Sequence, residues 1–87
     1  MSQEKILLNE TISTLKQQRD ELALKMHLAE SEAKQEFKQT KEKLDQLTSD
    51  FDPLKEAVGE STGNVVESLK LVADEVVSSF DRIRKSL

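Results

Sequence analysis

Leu22-Ala23-Leu24-Lys25-Met26-His27-Leu28-Ala29-Glu30-Ser31-Glu32-Ala33-Lys34-Gln35-Glu36-Phe37 is a stretch with neither glycine nor proline. Leu22, Met26, Ala29, Ala33 and Phe37 follow one another at steps of three or four, the spacing of one face of an α-helix. The stripe continues outward, through Leu15, Ile12 and Leu8 on one side and Leu44, Leu47, Phe51, Leu54 and Val58 on the other. At about 100° per residue these positions stay within an arc of roughly 120°. Arg19 and Thr40 fill the two stripe positions left polar. The double-four step from Ala29 to Ala33 to Phe37 is a stutter, which locally unwinds a left-handed supercoil. A half-buried strand would alternate with period two, and no segment does so. The pattern predicts an all-α fold with one long helix over about residues 3–58.

Two disturbances follow. In an unbroken helix the Pro53 ring meets the carbonyl of Ser49 and removes one backbone bond, at a cost of about 3 kcal/mol. A kink or break is expected there, with Asp52 able to cap a fresh turn. Gly59-Glu60-Ser61-Thr62-Gly63-Asn64 then collects two glycines with Ser, Thr and Asn, costing a continuous helix roughly 3 kcal/mol in propensity. A turn over 59–63 is expected, with Gly59 as a left-handed cap and Asn64 and Glu67 imitating a capping box; the alternative is a bend in one helix, since the stripe phase runs almost continuously through 62–65. A second helix over about 64–87 carries Val66, Leu69, Ala73, Val76, Phe80, Ile83 and Leu87, broadened by Val65 and Val72. Arg82, Arg84 and Lys85 in its last turn suit the negative end of the helix dipole.

The whole chain has 87 residues, few anchors for a globular core and no cysteine; its only aromatic residues are three Phe. A domain this short buries only about 60% of the surface its unfolded form exposes. Its 13 basic and 17 acidic side chains give a net charge of −4, with the signs interspersed. No global field draws it to nucleic acid. The longest apolar run, Ile6-Leu7-Leu8, falls far short of the roughly 20 residues that span a bilayer. A cytoplasmic location is the expectation.

The lengths set the architecture. A helix over 3–58 is about 80 Å long and one over 64–87 about 36 Å. Folded back, the short helix covers only the C-terminal half of the long one, making a hairpin core of Phe37, Leu44, Leu47, Phe51, Leu54 and Val58 with Val66, Leu69, Val76, Phe80 and Ile83. Leu8, Ile12, Leu15, Leu22 and Met26 are left facing water, and burying such side chains is worth about 1.5 to 3 kcal/mol each. An antiparallel homodimer, with those residues as its interface, is the expected remedy. Leu24 and Leu28 lie well off the stripe, one turn apart; they either widen that interface or stand as partly exposed leucines. Arg19 either pairs with a carboxylate of a facing helix to set register or covers the seam with its stem while its head reaches water.

Chemistry-bearing residues are sparse. His27 is the one imidazole and projects away from the stripe, and there is no Gly-rich phosphate loop. No catalytic residue, cofactor or metal site is assigned. The expected function is a non-enzymatic helical interaction or scaffolding protein that self-associates through apolar stripes. The alternative is peripheral binding to a membrane or lipid surface, which the acidic Asp74, Glu75 and Asp81 on the polar face of the second helix disfavour.

A long Lys/Glu-rich helix, a short Ser/Gly turn and a second helix ending in Phe80-Asp81-Arg82-Ile83-Arg84 resemble small bacterial coiled-coil proteins of unknown function. The amphipathic helices are also loosely similar to those of apolipoproteins. The first resemblance implies a helical hairpin and the second an affinity for lipid; composition carries both, and neither implies an activity.

Overall fold

The computed structural model describes residues 3–55 and 63–87. Three helices, α1 (Gln3–Lys25), α2 (Ser31–Lys55) and α3 (Gly63–Lys85), account for nearly all of them, and there is no strand among the described residues. The fold is all-α. α2 and α3 run antiparallel, because Glu36 meets Arg82 while Lys43 meets Glu75. α1 is antiparallel to α2: Arg19 reaches Asp45, while Met26 shares a groove with Phe37 and Lys38. The result is a three-helix bundle 45 Å long and 18 by 17 Å across.

The expected helix over 3–58 is therefore two helices. α1 ends at Lys25, Met26–Leu28 form one turn of 3-10 helix, and Ala29 is extended at φ −85°, ψ 151°. The Ala29 amide donates to the Met26 carbonyl at 3.1 Å, and the Glu30 carbonyl accepts the first bond of α2, from the Lys34 amide at 3.0 Å. Magnitudes explain the fold-back. Burying Leu8, Ile12, Leu15 and Leu22 is worth roughly 6 to 12 kcal/mol. Interrupting a helix forfeits a few backbone bonds at about 1 kcal/mol net each. A straight and a folded chain order much the same helices, so burial decides.

The stripe forms the core, within one chain. Leu8, Ile12, Leu15 and Leu22 of α1 join Phe37, Leu44, Leu47 and Phe51 of α2 and Val66, Leu69, Ala73, Val76, Phe80 and Ile83 of α3 in one buried cluster, with Met26, Leu54 and Val72 packed against it. The length mismatch that motivates a second copy is absent, since α1 (23 residues), α2 (25) and α3 (23) are nearly equal. Leu24 and Leu28 are 78% and 69% exposed and take no part in the core. Val65 is also exposed, so the apolar face of α3 is narrower than its sequence suggests.

Pro53 does not break the chain: α2 continues through it to Lys55. Pro53 and Ser49 both lie on the exposed face, where the carbonyl that loses its amide partner is open to water. The turn over 59–63 and the core position Val58 lie outside the described residues, apart from Gly63, where α3 begins. Asn64 sits inside the first turn of α3, where its carbonyl accepts from Ser68 Oγ at 3.1 Å. At the far end the Ser86 amide bonds the Arg82 and Ile83 carbonyls, both at 3.1 Å, and closes α3.

Candidate functional site

The most developed surface feature is an open polar groove of about 460 Å³ between α2 and α3. Glu36, Gln39, Thr40 and Lys43 line it from α2, and Ser79 and Arg82 from α3. Helical spacing puts the α2 residues on one edge, beside the buried Phe37, Thr40 and Leu44. Arg82 crosses the groove with two nitrogens on one carboxylate oxygen: Nε donates to Glu36 Oε1 at 3.0 Å, and Nη2 lies 2.9 Å from the same atom. Arg82 Nη2 also donates to Ser79 Oγ at 3.1 Å. Two turns away Lys43 Nζ donates to Glu75 Oε2 at 3.5 Å. The two pairs bridge α2 and α3 across the groove, each cation spent on an acid of the facing helix.

The buried polar residues are satisfied locally. Thr40 lies in the stripe and donates from Oγ1 to the Glu36 carbonyl at 2.7 Å. Ser79 accepts from Arg82. Lys5, one step N-terminal to Leu8 on the same face, is also buried. Among the described residues no buried side-chain nitrogen or oxygen lacks a partner.

Arg19 lies on α1 where it faces α2. Its side chain is 27% exposed and lies in the seam, while Nη1 reaches Asp45 Oδ1 at 3.7 Å and Nε bonds Asp20 at 3.2 Å. The facing helix is α2 of the same chain. His27 is exposed, and its Nδ1 lies 3.0 Å from the Leu24 carbonyl, one of the free carbonyls at the end of α1. Around it no three His, Asp or Glu side chains converge as metal ligands would, a statement that holds for all the described residues.

A second surface joins Ala23 of α1 and Met26 of the 3-10 turn to Lys34, Phe37, Lys38 and Lys41 of α2. Lys41 Nζ sits over the Phe37 ring, 5.2 Å from its centre, a cation–π contact. Sequence reasoning missed this contact, although Phe37 and Lys41 stand four apart on one helix. No described helix is long and apolar enough to cross a membrane. Comparisons with protein-family models, with curated proteins and with solved structures return no match.

Proposed function

We propose that the chain is a non-enzymatic helical interaction module that acts as a spacer or scaffold by associating with further copies of itself. One observation supports this above the others: the apolar stripe of all three helices serves helix–helix packing, while the charged side chains sit on outer faces in ion pairs with their neighbours. With the stripe buried, the outer faces that carry the exposed Leu24, Leu28 and Leu71 are what the closed bundle presents to other helices. The grooves are open and lined by paired charges, which suits contact with a surface better than enclosure of a substrate.

The lipid-surface reading asks more of the molecule. Val66, Leu69, Val76 and Phe80, the side chains of α3 that would enter a lipid interface, are all buried in the bundle. They reach lipid only if the bundle opens.

Sedimentation equilibrium across micromolar to millimolar concentrations tests the proposal. The expected result is a mass that rises from one chain toward two. A single-chain mass throughout overturns self-association. Vesicles of mixed zwitterionic and anionic lipid are expected to leave the protein in the supernatant.

A further inference from the structure

The connection between α1 and α2 lacks the chemistry of a turn. Met26, His27, Leu28, Ala29 and Glu30 include neither Gly nor Pro, and all of them enter helices readily. Lys25 is still in the helical region at φ −98°, ψ −5°, and the next three residues keep a 3-10 turn. Ala29 leaves it chiefly through ψ, at 151° against about −42° in a helix. A return of Ala29 and Glu30, the two residues before α2, to helical angles, with relaxation of the 3-10 turn, continues α1 into α2.

Phase is the second observation. Two helices joined by an ordinary turn are each free to rotate about their own axis to face a core, so nothing obliges their apolar stripes to agree. Here they agree. Placed on one straight helix, Leu8, Ile12, Leu15 and Leu22 of α1 and Phe37, Leu44, Leu47 and Phe51 of α2 share an arc of about 120°. The α1–α2 contact is also the least extensive of the three between helices.

We infer that residues 26–30 are a hinge and that the partner is a second copy of this chain, with which it exchanges α1. Opening the hinge makes residues 3–55 one helix about 80 Å long. Two such rods lie antiparallel, and the α1 of each packs on α2 and α3 of the other through the contacts it makes here within one chain, Arg19 to Asp45 included. The hinge alone changes conformation, which is the condition under which exchange of an element is favourable at high concentration. The inference rests on the self-association proposed above and supplies its route.

The absence of cysteine makes a thiol crosslink a clean test. Arg19 and Asp45 meet at 3.7 Å, so the double variant Arg19→Cys/Asp45→Cys is concentrated, annealed, and treated with a short bis-maleimide. In the exchanged dimer the link joins two chains, and a dimer band survives denaturing electrophoresis. A dimer fraction whose links all stay within single chains overturns the exchange but leaves self-association standing. A single-chain mass at every concentration overturns both. Glu30→Pro locks the closed form: it wants an extended residue before it, as Ala29 already is, and it removes the amide that would bond the Met26 carbonyl in the rod. Circular dichroism checks its fold. Should it fail to fold, Leu28→Gly/Ala29→Gly serves instead and is expected to raise the dimer dissociation constant by roughly thirtyfold for each hinge. A dimer as abundant in the folded hinge variant as in the parent chain overturns the hinge.

Discussion

The rings of Phe37 on α2 and Phe80 on α3 meet with centroids 6.2 Å apart and planes tilted by 41°. Both are buried, Phe80 completely. Tilted ring pairs of this kind contribute about 0.5 to 1.5 kcal/mol beyond the area they bury. Phe80→Ala is expected to cost about 3 to 5 kcal/mol, a large share of the stability of a domain this size. Thermal unfolding checks it, and a double-mutant cycle of Phe37→Leu with Phe80→Leu is expected to return a coupling of about 1 kcal/mol.

Arg19→Leu is expected to raise the melting temperature by a few degrees and leave the oligomer mass unchanged. The Asp20 and Asp45 carboxylates that Arg19 meets are 73% and 72% exposed, so each pair is worth less than about 1 kcal/mol. A leucine in the same seam gains the burial of an apolar side chain. Calorimetry on the two proteins at one concentration decides the sign.

Stripe and off-stripe leucines should separate sharply. Leu22 is 2% exposed, and Leu22→Ala is expected to cost about 2 to 5 kcal/mol. Leu24→Gln and Leu28→Gln, on exposed positions, are expected to stay within about 0.5 kcal/mol of the parent. Urea unfolding of the three variants is the measurement; a large loss at Leu24 or Leu28 contradicts the bundle described above.

Thr40→Val tests a buried hydroxyl. Its Oγ1 donates to the Glu36 carbonyl, which sits four residues earlier on the same helix and so also accepts from the Thr40 amide in the regular ladder. Removing the hydroxyl leaves that carbonyl partnered. The expected change is below about 1 kcal/mol in either direction, because a lost bond and a gained methyl nearly offset.

Every stripe position named from the sequence that falls among the described residues is buried or half-buried, apart from Val65 and Leu87. Periodicity reports which side of a helix faces other helices, and it did so for Leu8 as well as for Ile83. It does not report who supplies the cover. The fold-back at Ala29 was illegible because the usual marks of a turn are missing and the stripe passes through it in phase. One weaker sign was present. Lys25 in the last turn of α1 is followed by Glu30 and Glu32 at the start of α2, a change from cation to acids that suits the end of one helix dipole and the start of the next. Pro53 carries the opposite sign, a strong mark of interruption at an exposed position through which α2 continues to Lys55. The groove between α2 and α3 was hidden for a plainer reason, since Glu36 and Arg82 are 46 residues apart.

α3 packs more extensively on each of the other two helices than they pack on each other. In biosynthesis the keystone therefore arrives last of the three. Until residues 63–87 leave the ribosome, the ridges of α1 and α2 have little to close against.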